Sequence, residues 1–363
     1  MTPDLIEQYR LASQPFISGA ITDEVTKTPH WRVFLEINSA CTLKCPTCTK
    51  GNQEAVDGLK YDHKTGFMDE ALMERILDKI KMENPNAIVF CYGNSEPFVH
   101  PKLPECIAAI KRRGLHPEMS TNLNHVHRVD EVLEAGPDLI IVSLSGFTQE
   151  TYVKGHAGGN IEKVKANMKI LGDANNARPK EKRVKILVNY HVYNDNAHEI
   201  DEMQAYAKSC HLELFTSFAR AISMENAVQY CRSKDPDATP FEVQEGRPDW
   251  NAIFPKVSQQ FVDTMDRLFI PPTKAREIYQ HIPIRDVCPV GAGGMFTFIR
   301  HDGKTSMCAC VADRRITVGD FMDTTAEQMI EQRTGHSVCK QCIKYRQNLA
   351  FHIVPGSDGK NWY

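Results

Sequence analysis

Over the first 220 positions, apolar residues follow two alternating rhythms. Short runs rich in β-branched and aromatic residues, Trp31-Arg32-Val33-Phe34-Leu35-Glu36-Ile37-Asn38 and Ala87-Ile88-Val89-Phe90-Cys91-Tyr92, predict strands. Between them Met68, Leu72, Ile76, Ile80 and Met82 fall close to helical spacing, with acidic residues near the start, and predict a helix over 68–84. The alternation continues with helix 103–113, strand 116–120, helix 129–135, strand 138–144, helix 160–173, strand 183–190, helix 197–208 and a strand near 212–217. Such regularity argues for an α/β fold, a parallel sheet covered by helices. Six strands fall short of an eight-stranded barrel. Periodicity alone leaves a partial barrel and a doubly wound sheet both open.

From 222 to 287 the pattern loosens around loops at 233–240 and 246–248, leaving helices near 256–269 and 272–280 in a helical linker. A hairpin follows Cys288: a strand at 295–299, a turn at His301-Asp302-Gly303-Lys304 and a return strand to Cys308. Asp-Gly between apolar runs is its signal. Residues 1–30 read as a helical lead-in, with Leu5, Tyr9 and Leu11 as packing positions, too few for a separate domain. The expected plan is lead-in 1–30, core 31–221, linker 222–287 and a small hairpin-plus-helix domain 288–363.

The totals narrow the setting. A chain of 363 residues makes one large domain or two ordinary ones, and 42% hydrophobic residues supply an ample core. A net charge of -3 gives no reason to expect nucleic acid or an anionic membrane as partner. No apolar run approaches the roughly 20 residues of a spanning helix. The N-terminus lacks the basic start and apolar core of a signal peptide, so a cytoplasmic protein is expected. In that setting twelve cysteines read as metal ligands or catalytic groups rather than disulfides. Cys91, Cys106, Cys210 and Cys231 stand alone and read as small buried apolar residues.

The other eight cluster at two places. Cys41, Cys45 and Cys48 form C-x3-C-x2-C at the exit of the first strand. Thiolates are soft ligands that select zinc, copper(I) or iron–sulfur clusters. A structural zinc wants four protein ligands, and this loop offers three with no histidine close by. A cubane [4Fe–4S] cluster also usually takes four cysteines, so three would leave one iron open for chemistry. A zinc knuckle with a distant fourth ligand, in a zinc-stabilised binding module, is the alternative.

This loop resembles the signature of the radical S-adenosylmethionine (SAM) enzymes. In that family the open iron chelates SAM, whose reductive cleavage gives a 5′-deoxyadenosyl radical that takes a hydrogen atom from substrate. The resemblance implies a partial (β/α)6 TIM-like barrel, a SAM-binding [4Fe–4S] cluster on Cys41, Cys45 and Cys48, and an electron donor of the flavodoxin or ferredoxin type. It extends to the strand ends, where parallel α/β folds keep their chemistry. Gly93-Asn94-Ser95-Glu96-Pro97 is similar to the Gly-Gly-Glu-Pro motif that holds the amino group of SAM, with Asn94-Ser95 in place of two glycines. Ser120-Thr121-Asn122 resembles a Thr-Asn turn beside the active site, and Ser143-Leu144-Ser145-Gly146 a stretch that reaches the SAM ribose and carboxylate. These imply SAM contacts from Asn122, Ser143 and Ser145. At the fifth strand one of Asn189 and His191 is expected to face inward, with Asn189 the SAM contact; the sixth ends near Ser217 and Arg220. Each singly is also an ordinary turn residue. Thr47 stands where the family often has an aromatic residue against the adenine. His156-Ala157-Gly158-Gly159-Asn160 reads equally as an anion site at a helix start or as an N-cap.

Cys288, Cys308 and the pair Cys339-Lys340-Gln341-Cys342 would suit a zinc ribbon or a second iron–sulfur cluster on spacing alone. They resemble the twitch form of the SPASM module, which implies one auxiliary [4Fe–4S] cluster on Cys288, Cys308, Cys339 and Cys342. Cys308 and Cys310 are expected on the same side of a strand, so the two could exchange roles. Cys310 is otherwise a packed residue or a hydrogen-atom donor to a substrate radical. The resemblance points to oxidation or epimerisation of a small polar substrate such as a sugar or aminoglycoside-like alcohol or an amino acid, or to maturation of a peptide or protein side chain.

Overall fold

The structure, a computed structural model, describes residues 31–48, 50–51, 66–221, 223–235, 258–274, 288, 296–311 and 316–344. The expected lead-in, the two loops of the linker beyond 235, most of the 272–280 helix and the chain after 344 lie outside the described residues.

Six parallel strands, β1 (Arg32–Leu35), β2 (Ile88–Phe90), β3 (His116–Thr121), β4 (Leu139–Leu144), β5 (Lys185–Val192) and β6 (Glu213–Phe218), pair strictly in chain order. A doubly wound sheet reverses its strand order at a switch point. This one never reverses, so every crossover steps the same way, as in a sector of a TIM-like barrel. Burial alternates along the strands: Val33, Leu35, Ile140, Val142, Ile186 and Val188 are covered by helices. The opposite face carries Phe34, Ser120, Ser143 and Asn189. Asn189 and His191 share that face, because residues two apart on a strand point the same way; the expectation that only one would do so is corrected. Both meet the Ser217 hydroxyl, at 2.8 Å and 3.4 Å.

The covering helices are α1 (Glu70–Glu83), α2 (Leu103–Arg112), α3 (Val129–Ala135), α4 (Gln149–Gly155), α5 (Ile161–Asn176) and α6 (Ile200–Ser209). α1 starts after Asp69, whose carboxylate accepts from Leu72 N at 2.9 Å. Its buried stripe is Met73, Ile76, Leu77 and Ile80, while Met82 is 77% exposed. α4 was not expected. It is pinned by Glu199, which accepts from Phe147 N (2.6 Å), Thr148 Oγ1 (2.5 Å) and Thr151 Oγ1 (2.8 Å). The loosened region holds α7 (Met224–Lys234), also not expected, and α8 (Gln259–Asp266).

The hairpin does not stand apart as a separate small unit. Its first strand, β7 (Phe296–Ile299), pairs parallel with β1, and β8 (Lys304–Ser306) and β9 (Thr317–Asp320) follow antiparallel, extending the sheet to nine strands. β1 has an edge free for this pairing, and stacked rings hold the join: Phe34 lies between Phe90 (4.5 Å) and Phe298 (4.2 Å). Trp31 Nε1 donates to Thr297 Oγ1 at 2.9 Å. α9 (Ala326–Gly335) and α10 (Ser337–Lys344) close the described chain. From α1, Lys79 Nζ donates to the carbonyls of Phe321 (2.7 Å), Met322 (3.3 Å) and Thr324 (2.9 Å), tying the loop before α9 to the core.

Candidate functional site

The ends of β1 to β3 are cross-linked around one carboxylate. Glu96, 1% exposed, accepts from Thr121 Oγ1 (2.6 Å), Asn122 N (2.8 Å) and Phe98 N (3.2 Å). Its own N–H donates to Ala40 O at 2.8 Å, and Asn38 Nδ2 donates to its carbonyl at 3.2 Å. Burial pushes its carboxyl up to about 7, against the pull of these donors.

The thiols of the opening loop sit beside this knot. Cys41 Sγ receives Leu43 N (3.5 Å) and Asn122 Nδ2 (3.7 Å), and Cys48 N donates to Cys45 O at 3.0 Å. Gly51 lies so close that a Cβ there would stand 2.3 Å from the Cys45 oxygen. Burial first, then the charge of Cys48, raises the Cys41 thiol to about 11; Cys45 is pushed well up by burial and by the other two cysteines. Thiols held up in this way at Cys41 and Cys45 ionise only beside a strong positive centre, so the three-sulfur donor set fits a metal cluster. Among the described residues no three Cys, His, Asp or Glu side chains gather round a single-ion position; a cluster takes each thiol on a different iron. Ser95 Oγ is buried with no hydrogen-bond partner among the described residues. An orphaned hydroxyl in the Gly93-to-Pro97 turn fits a ligand held there.

The later strand ends divide. Ser143 shares a hydrogen bond with Ser120 (2.9 Å), and Asn189 Oδ1 accepts from Ser217, so both belong to the sheet face opposite the helices. Ser145 does not: it is fully buried, and its hydroxyl is engaged by His156 Nδ1 at 2.7 Å and Tyr152 O at 3.5 Å. At 156–160 the capping role holds. Asn160 accepts from Lys163 N (3.0 Å), while the N–H groups of Asn160 and Ile161 are taken by Asn124 and Gln149.

Sequence reasoning missed a buried aromatic column here. Tyr152 stacks on His156 at 5.0 Å, and His156 on His191 at 6.1 Å. Burial lowers the two histidines to about 3 and about 4. α7 was missed as well, though Asn226 Nδ2 donates to Thr47 O (2.5 Å) and Met224 N to Cys310 O (2.8 Å). One helix thus touches both cysteine groups.

At the second group, β8 ends at Ser306, and Cys308 opens a turn with Val311 N on its carbonyl (3.4 Å). The expected strand to Cys308 is therefore cut short, and Cys308 and Cys310 are neighbours through the turn, joined by a side-chain hydrogen bond. The charges of Cys288, Cys308 and Cys339 act on Arg333, and that of Cys342 on Cys310. Cys308 and Cys310 are thus side by side, and the other late cysteines act on this turn and on Arg333 electrostatically. A cavity of about 380 Å³, including space open to solvent, is lined by Phe34, Glu36, Gly93, Asn94, Phe298 and Cys308 among others. Cys310 does not line it and is only 6% exposed. Cys91, Cys106, Cys210 and Cys231 are buried singly, as expected. Among the described residues no helix is long and apolar enough to cross a membrane.

The family described as the Radical SAM superfamily matches residues 35–206. The chain is 28% identical over 180 residues to the tungsten-containing aldehyde ferredoxin oxidoreductase cofactor-modifying protein of Pyrococcus furiosus, covering 48% of this chain and 47% of that one. It is 26% identical to the 7,8-dihydro-6-hydroxymethylpterin dimethyltransferase of Methanocaldococcus jannaschii, over 38% of this chain and 27% of the relative. The matched segment thus spans less than half the length of either curated relative. In fold it is similar to native anSMEcpe with bound AdoMet (TM-score 0.50, 15% identity, 92% of this chain and 91% of that one). It is also similar to Streptococcus suis SuiB bound to S-adenosylmethionine (TM-score 0.51, 11% identity, 93% and 76%). Cysteine loop, strand order and family match agree: the chain carries a radical SAM domain over residues 35–206.

Proposed function

We propose that this radical SAM enzyme oxidises a small polar substrate, removing a hydrogen atom from carbon and then one electron. With the family go SAM and a [4Fe–4S] cluster, which when bound supply a 5′-deoxyadenosyl radical able to take that hydrogen atom. Cys41, Cys45 and Cys48 would hold the cluster. The turn from Gly93 to Glu96, with Asn122, Ser143 and Asn189, would hold SAM. Ser145, buried against His156, would act by placing that histidine and not by touching SAM.

The observation that carries the reading is the cavity's position. Its walls include both Gly93 and Asn94 of the SAM turn and Cys308, so a substrate there would touch the turn and one late cysteine. Cys288, Cys308, Cys339 and Cys342 would hold an auxiliary [4Fe–4S] cluster, which would supply an electron acceptor. Oxidation of an alcohol to a carbonyl releases one hydrogen atom, one electron and one proton; SAM when bound would supply the acceptor for the hydrogen atom, the auxiliary cluster would supply that for the electron, and the proton would pass to solvent. That Cys310 is absent from the cavity lining, while Cys308 is in it, supports oxidation over epimerisation. A flavodoxin or ferredoxin would provide the first electron. The relatives' activities, cofactor modification and a methyltransferase among them, differ too much to select a reaction.

Anaerobic protein, SAM and a panel of carbinol-deuterated sugars, aminocyclitols and amino acids test this. Deuterium should appear in 5′-deoxyadenosine together with a carbonyl product. Solvent hydrogen entering an inverted carbon would instead establish epimerisation, and transfer from peptides alone would establish a maturase.

A further inference from the structure

Arg333 is a cation placed deep in the late-cysteine module. It sits on α9 just ahead of the helix that carries Cys339 and Cys342, and it is 1% exposed. Its Nε donates to Met307 O at 2.8 Å, which fixes the guanidinium one residue from Cys308. Its charge acts on Cys308, Cys339 and Cys288 together. These cysteines come from three separated stretches, and one guanidinium is common to them. Glu225 of α7, fully buried, acts on the Cys308 thiol in the opposite direction to Arg333.

We infer that Arg333 is a positioning residue that sets the reduction potential of the auxiliary centre, holding it high enough to take the substrate's electron. The inference rests on the auxiliary-cluster reading above. A [4Fe–4S] centre gains one negative charge when it accepts one electron. In a site screened from water, a fixed cation beside the ligands would stabilise that reduced form, and a fixed anion would oppose it. The electron comes from the substrate radical as its hydroxyl proton passes to solvent, and leaves later to an external one-electron acceptor of the flavodoxin or ferredoxin class. Arginine suits the position because it stays charged when buried, where a lysine shifts its pKa readily.

The test is a redox titration, followed by electron paramagnetic resonance, of the full chain reconstituted anaerobically. Iron is counted in every sample, and the two centres are told apart by comparison with a variant lacking Cys41, Cys45 and Cys48. Arg333→Met should retain about eight irons and make reduction of the auxiliary centre at least tenfold less favourable, about 59 mV for one electron. The SAM centre should not move. Glu225→Gln should shift the auxiliary centre the other way, and it decides the matter if Arg333→Met fails to hold its iron. Loaded variants with unmoved midpoints overturn the role of Arg333 and leave the cluster standing. A wild-type protein holding only about four irons overturns both.

Discussion

Glu96 shows how one side chain can brace a site and serve it. Three donors from β3 and the turn after β2 converge on its carboxylate, which locks two strand ends beside Cys41. Gly51 does comparable work with no side chain. A Cβ at 51 would collide with the Lys44 and Cys45 backbone, so Gly51→Ala must displace the cysteine loop. Iron bound per chain should fall by about half as the first cluster is lost, while far-ultraviolet circular dichroism stays unchanged; full iron loading would refute the close-packing argument. His156 gives a pH signature. Its folded pKa is depressed to about 3, against about 6.5 unfolded. Between those values the unfolded chain holds the extra proton, so stability is present above about 6.5 and drains as pH falls. By about pH 5 the loss is about 2 kcal/mol. Urea titrations of wild type and His156→Gln should converge by that amount from about pH 7 to about pH 5, and parallel curves would show that the ring is not buried neutral. The difference between the two proteins cancels the opposing contribution of Glu96.

At the scale of elements, most of the core was legible because its helices bury one stripe and its strands alternate. α7 was not, for a physical reason. Every residue from Met224 to Cys231 is buried, Glu225, Asn226 and Gln229 among them, so no polar face marks its period. α4 is only seven residues long, and its anchor Glu199 lies far along the chain. The cysteine loop was legible because its chemistry is local in sequence. The Tyr152–His156–His191 column was not, because its contacts span strands. The late module's docking depends on Lys79, whose Nζ meets three carbonyls. Lys79→Met should cost about 2–3 kcal/mol, read as earlier urea unfolding. It should also loosen 317–335 ahead of β1 to β6 in hydrogen exchange. Equal protection of both regions in the variant would contradict that tie.

At the scale of the molecule, the hairpin that the sequence set apart is an extension of the barrel sheet. β7 pairs residue by residue with β1 from Arg32 to Leu35, and the two cysteine groups therefore share one rigid frame, with α7 braced against both. Strand spacing predicted each partner but not their meeting, because a parallel pairing between residues more than 260 positions apart leaves no local pattern. That frame brings Gly93 and Asn94 to the same cavity as Cys308.

The most direct measurement is iron content and SAM cleavage of anaerobically reconstituted protein, wild type beside the variant with Cys41, Cys45 and Cys48 all changed to Ala. The account predicts about eight irons in the wild type and about four in the variant, with 5′-deoxyadenosine formed only by the wild type. Continued SAM cleavage by the triple variant, or zinc in place of iron in the wild type, would contradict it.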